Sequence, residues 1–348
     1  TEGPGETMVR HRSLLDMGSL SDFLTREKPK HVYFSAGRYD NPGSNAMSEK
    51  GWRSSDIVFD LDADHLPSVV LGEDSYAEML AKCKDALLRL LDFLENDFGF
   101  EDLTVVFSGG RGYHVHVRDE NIQELRRESR REVVDYVRGI GLDAELLETT
   151  EMRGNVTARV LRTEGGWGRR VHERLLEYVD DLLAMDEDAA RDRLRELDGI
   201  GEGRAETVYG AVSENAAALE EGNIELGGVG LRTLLDAFVG EVVADQNAPI
   251  DEPVTTDVNR LIRLPGSLHG GSGLAVRRID REAIADFDPL VDAVPETFVG
   301  HEIAVEVTDP GPVELRGDRF NPEAGEVTVP EYLGVFLMAR GRAEKGQE

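Results

Sequence analysis

The sequence predicts an α/β fold interrupted by a mainly helical segment, on three observations. Short apolar runs at 31–35, 56–62, 103–108 and 113–117 have strand length and are bounded by turn residues. Helical spacing of apolar residues dominates from about 170 to 245. Strand-like runs then return at 273–279 and 301–316. The expected organisation is a first part of the α/β core over 1–169, a mainly helical subdomain over 170–245, and a completing part of the core over 246–348.

Taken in order, HVYFS at 31–35 reads as a strand and DIVFDLD at 56–62 as a more central one, because it is nearly continuous in apolar character before its acids. A helix fits Ser75 to Asn96, where Met79, Leu80, Cys83, Leu87, Leu90, Leu91 and Leu94 recur on one face. LTVVFS and YHVHV are strands split by GGRG, and another helix fits 120–138. RRVHERLLEYVDDLLAM and LRTLLDAFVGEVVAD are helical, with glycine-rich breaks at 199–203 and 226–230. VPEYLGVFLMARG at 329–341 supplies a final helix with Pro330 near its start, where the fixed φ and missing N–H of proline are tolerated.

Composition restricts the function classes. A formal charge of −30 over 348 residues opposes general binding of polyanions. The acid is nevertheless spread along the chain, and the cations are 33 Arg against 6 Lys, the pattern of a surface adapted to very high salt. There, screening is nearly complete at short range, so a small arginine-rich cleft can still meet phosphate. The competing reading is an acidic protein without a polyanionic ligand. A single cysteine, Cys83, supports neither a disulfide framework nor a soft metal site, so a reducing, cytoplasmic setting is expected. No secretory leader or membrane-length apolar run is visible, and no membrane partner is expected. The chain starts at Thr1 without an initiator Met, so a natural segment before it is expected.

Three segments carry chemistry. In DIVFDLDADH, Asp60 and Asp62 lie two residues apart, and alternate strand residues share a face, so both carboxylates can hold one hard cation such as Mg²⁺ or Mn²⁺. Asp64 shares that parity but falls at the start of a loop; acids at a strand end also cap turns. In VFSGGRGYHVHV the glycines bring backbone N–H groups close to a ligand, while Ser108 and Arg111 add a hydroxyl and a forked cation that suit phosphate. His114 is favoured over His116 as a phosphate or sugar contact, against the plainer reading of a glycine hairpin with two satisfied histidines. The Lys-Ser/Thr ending of a Walker loop is absent. In IDEPVTTDVNRLIRLPGSLHGG, Asp251 precedes Pro253, where an extended or turn approach can bring a third acid to the pair, while Arg260, Arg263 and His269, if buried or cleft-facing, need an anionic partner, against the plainer reading of ordinary turns and surface arginines.

These three segments together resemble the archaeal and eukaryotic-type DNA primase small, catalytic subunit, most closely a salt-adapted archaeal form. The resemblance implies an α/β primase small-subunit-like catalytic core with a mixed sheet and a mainly helical insertion. It implies that Asp60, Asp62 and Asp251 are the metal-holding catalytic acids, and that Ser108, Arg111, His114 and His269, with Arg263, bind nucleotide. It also implies synthesis of short RNA primers, or RNA and DNA primers, from nucleoside triphosphates on single-stranded DNA with Mg²⁺ or Mn²⁺. The expected partner is a large subunit bearing an iron–sulfur cluster.

The sequence departs from the family in three places. Relatives often hold zinc between the first two motifs, whereas only His65 and Cys83 are available here, so no structural zinc is expected. Gly271 stands where relatives place a lysine, so triphosphate binding must lean on Arg111, Arg263 or His269. The early Arg-aromatic element of the family is missing. Two rival functions are a haloacid-dehalogenase-type phosphatase, suggested by FDLD but lacking Gly-Thr after the second acid, and a catalytically inactive nucleic-acid-binding subunit.

Overall fold

The computed structural model describes residues 8–153, 156–225 and 228–346. They fold as two compact units. The first combines the stretch ending at Leu87 with Glu101–Glu132 and the stretch beginning at Pro249; the second combines Leu88–Phe100 with Val133–Ala248. The sequence groups 133–169 with the core. Its strands Glu148–Arg153 and Val156–Leu161 instead form a separate two-stranded sheet, and the helix Gly166–Leu183 begins before residue 170. The glycine-rich break expected at 226–230 falls partly on residues 226 and 227, outside the described residues.

The first unit is built on a four-stranded sheet in the order Arg277–Ile279, Leu103–Phe107, Gly112–Val117, Ile57–Asp62. The α/β core with a helical insertion is as the sequence predicts. Its strand directions are narrower than the mixed sheet expected, since every ladder among the described residues is antiparallel. The turn at 108–111 joins its two strands directly, a connection open only to antiparallel neighbours.

Alternation divides the sheet chemically. Ile57, Phe59 and Leu61 are fully buried, with Tyr113, Val115 and Val117 beside them on the same face. The helix Tyr76–Asp92 covers that face, and the Cys83 thiol lies 3.7 Å from the Leu61 carbonyl. Its predicted apolar residues are all buried, and a π-helical turn at Phe93–Asp97 follows it. The opposite face carries Asp62, Asp60 and Val58 against Gly112, His114 and His116.

A small cluster of Ala36, Val58, Val254 and Ile262, with Phe34 packed on it, fastens two further pieces over this second face. They are the paired strands Tyr33–Ser35 and Leu261–Arg263 and the short helix Glu252–Thr256. Below them the carboxylate of Asp56 is buried; burial pushes its pKa up, but His116, Arg118 and Arg38 more than offset this and leave it below the usual carboxylate range. Arg130, also buried, donates to the carbonyls of Ser55, Asp56 and Leu125 at 2.8–2.9 Å, which satisfies a buried cation and fixes the entry to the strand.

The last residues form a second sheet, Gly325–Pro330, Glu302–Val307, Ala343–Lys345, against which the final helix Glu331–Ala339 packs. Pro330 is the N-cap of that helix, one residue before the predicted helix becomes regular. In the second unit, helices Gly166–Leu183, Glu187–Arg195, Glu202–Glu214 and Gly228–Gln246 bury Leu175, Leu182, Leu234 and Phe238. No helix among the described residues is long and apolar enough to cross a membrane.

Candidate active site

The ladder register places the acids. Asp60 pairs with His114 and Asp62 with Gly112, so both carboxylates and the imidazole stand on one face. Asp60 and Asp62 are partly exposed, where the surrounding strand residues are buried, and both line a cleft of about 580 Å³. His114 Nε2 lies 3.3 Å from Asp60 Oδ1, while its Nδ1 is buried and finds no partner among the described residues. Asp62 also caps the turn Ala63–His65, its Oδ1 accepting from the Asp64 N–H at 3.2 Å, so the capping role open in the sequence is real and coexists with exposure to the cleft. Asp64 pairs with Arg111, and its other oxygen is buried without a hydrogen-bond donor among the described residues.

Between the two central strands, SGGRG forms the rim. Gly109 has φ +78°, and a Cβ there would lie 2.7 Å from the Cβ of His269, so glycine meets both the backbone and the space requirement. Ser108 Oγ accepts from the Gly110 N–H at 3.3 Å, and Ser272 Oγ donates to the Gly109 carbonyl, which ties the second and third motifs together. Arg111 reaches over the acids, with Nε 3.9 Å from Asp62 Oδ1.

The third motif supplies the other wall. The Asp251 N–H donates to the Asp60 carbonyl at 3.0 Å, so the main chain of Asp251 stands beside the first acid. Its carboxylate is not among the groups lining the cleft. Among the described residues no group of three or more His, Cys, Asp or Glu side chains is assembled as a metal site. The Arg263 guanidinium donates to His31 Nδ1 at 2.7 Å and stacks over Tyr33. Burial pulls its pKa down, against the pull of Tyr33, Asp60 and Asp62 in the other direction. His269 Nδ1 accepts from the Gly271 N–H at 3.2 Å. Burial first, then Arg263, His31, Arg111 and Lys30, lower the His269 pKa to about 3. The ring is therefore a neutral hydrogen-bonding group at neutral pH.

The family model of the DNA primase small subunit matches residues 59–281, from the first acidic strand through the third motif. The chain is also similar over its whole length to proteins described as "DNA primase small subunit PriS". It is 68% identical to that of Haloarcula marismortui, 63% to that of Halorubrum lacusprofundi and 60% to that of Halobacterium salinarum, covering 90% of each. The chain belongs to the DNA primase small subunit family. The resemblance carried by the three motifs is thus borne out, with its setting among halophilic archaea, and the chain is an enzyme of the nucleotidyltransferase type. The dehalogenase-type reading is set aside, since it leaves two of the three matched motifs without a role.

The cleft of this primase-family chain also holds two residues that the sequence motifs miss. Tyr76, at the start of the long helix, donates its hydroxyl to the Gly110 carbonyl at 2.5 Å, and burial pushes its pKa up to about 12. Arg340, after the final helix, has its guanidinium 4.3 Å from the centre of the Tyr76 ring. Both line the cleft. Each reads as an ordinary residue at a helix end, and no spacing pattern joins positions so far apart in the chain.

Proposed function

We propose that this chain is the catalytic subunit of a primase, joining ribonucleotides, or ribonucleotides and deoxyribonucleotides, into short primers on single-stranded DNA. The observation that carries this reading is the convergence of Asp60 and Asp62 with the SGGRG rim and His269 on one cleft within one folding unit. The donor set suits a hard divalent cation: two carboxylates on one face, with no thiol available because burial pushes the Cys83 pKa far up. Asp60 and Asp62 would hold Mg²⁺ or Mn²⁺, with Asp251 completing the set from its place beside Asp60, and we propose no structural zinc. A bound divalent ion supplies stabilisation of phosphoryl oxygens and a lower pKa for the attacking 3′-hydroxyl.

The side chains do the rest. Arg111 and Arg263 neutralise phosphate oxygens, the hydroxyl of Ser108 and the neutral ring of His269 orient them by hydrogen bonds, and His114 holds the Asp60 carboxylate in place. Template bases choose each nucleotide by pairing, so no side chain has to read sequence. A partner large subunit with an iron–sulfur cluster fits the "small subunit" in the names of the relatives, and a cytoplasmic location fits the chemistry.

The test is incorporation of labelled nucleotide on a single-stranded template in molar salt with Mg²⁺ or Mn²⁺. Asp60→Asn, Asp62→Asn and Asp251→Asn should each lower turnover by at least about a hundredfold while circular dichroism stays unchanged. Turnover near that of the unmodified protein in any one of them removes that acid from the assignment. Less than one zinc per molecule by elemental analysis after mild chelation is the matching expectation for the missing cluster.

A further inference from the structure

Arg340 lies outside the span matched by the family model and outside the three segments that carry chemistry in the sequence. Its guanidinium stacks on Tyr76 at 4.3 Å and on Phe336 at 5.4 Å, so the two rings, themselves 5.9 Å apart, form a platform that restricts it. Tyr76 is in turn held by its hydroxyl on the Gly110 carbonyl, inside the turn that carries Arg111. Arg340 is exposed and lines the same cleft as Asp60, Asp62 and Arg111. Among the described residues no carboxylate pairs with it, although acids outnumber Lys and Arg by 69 to 39 and Arg111 itself is paired with Asp64. A guanidinium restricted by two aromatic rings, with no carboxylate partner among the described residues and lining an acid-rimmed cleft, is preorganised for an anion with several oxygens.

We propose that Arg340 binds phosphate in this cleft, engaging the triphosphate of the incoming nucleotide together with Arg111. The proposal rests on the reading of the cleft as a nucleotide-joining site and adds to it a cation from the far end of the chain. Tyr76 then acts twice: its hydroxyl positions the Gly110–Arg111 turn and its ring positions Arg340, so the two cations keep a fixed spacing. Arg340 also sits at the C-terminal end of its helix, where a cation is favourable for stability alone. The experiment must therefore separate affinity from folding.

Arg340→Gln and Arg340→Lys are made in the full chain and compared in molar salt. The experiment reads the unfolding midpoint, the Kd for ATP without template, the Kd for single-stranded DNA, and KM and kcat for incorporation on a primed template. Arg340→Gln should raise the ATP Kd and KM about tenfold and leave kcat within about twofold, and Arg340→Lys should recover part of the loss. Tyr76→Leu, which removes one of the two rings of the platform and keeps the guanidinium, should raise the ATP Kd in the same direction by a smaller factor. An unchanged ATP Kd in Arg340→Gln overturns the proposal. So does a loss of affinity for single-stranded DNA with ATP affinity intact, which would assign Arg340 to the phosphates of a strand. If the unmodified protein binds ATP but joins no nucleotides, the reading of the function fails while a raised ATP Kd in Arg340→Gln still upholds Arg340. No ATP binding by the unmodified protein overturns both.

Discussion

At the scale of single residues, the cleft is tuned by burial as much as by charge. His269 shows it: a histidine surrounded by Arg263, His31, Arg111 and Lys30 and withdrawn from water stays neutral down to about pH 3. Its ordinary value is 6.5, so between the two the unfolded chain binds a proton that the folded chain refuses. Stability contributed by the neutral ring is thus complete above about pH 6.5 and is lost as pH falls toward 3. Urea midpoints at pH 7 and pH 5 should differ less for His269→Gln than for the unmodified protein; an equal difference would show that the ring does not resist protonation. That Asp60 and Asp62 share one face was legible from residue type and parity, because strand alternation is a local rule. The neutrality of His269 was not legible, because it depends first on burial and then on Arg263, His31, Arg111 and Lys30, brought together from separate stretches.

At the scale of elements, turns bring side chains to the cleft and strands set their register. The 108–111 turn needs a glycine at 109 for its positive φ and for its approach to His269. Gly109→Ala should cost about 1–3 kcal/mol and raise the KM for nucleotide, since the added carbon must push apart the second and third motifs. Thermal unfolding and incorporation kinetics would both have to remain unchanged for this account to fail. The elements with continuous apolar runs, Ile57–Asp62, Leu103–Phe107 and Gly112–Val117, were readable in the sequence to within a residue or two. The hairpins Gly37–Tyr39 with Trp52–Ser55 and Glu148–Arg153 with Val156–Leu161 were not. ETTEMR and GRY have too little apolar alternation to reveal a strand, and pairing with a neighbour supplies what intrinsic preference lacks.

At the scale of the whole molecule, net charge sets the conditions in which the fold holds. A charge of −30 repels itself when cations are withdrawn, so the chain should expand below roughly 1 M salt. Unchanged circular dichroism and hydrodynamic radius after dialysis into low salt would contradict this. If the proposed large subunit is the physiological partner, adding it should increase initiation on unprimed template more than extension of a supplied primer; no complex and no increase would point to a self-sufficient polymerase. The division of the first unit into three stretches has a further consequence for biosynthesis. The strand bearing Asp60 and Asp62 leaves the ribosome early, whereas Asp251, Arg263, His269 and Arg340 follow only after the whole of the second unit has been made. At roughly 5–20 residues per second, the nascent acidic strand waits many seconds for its opposite wall. A message cut short before Pro249 therefore yields a first unit without Leu261–Arg263, the partner of Tyr33–Ser35, and without Arg277–Ile279, the partner of Leu103–Phe107, so completion of that unit waits on the end of translation.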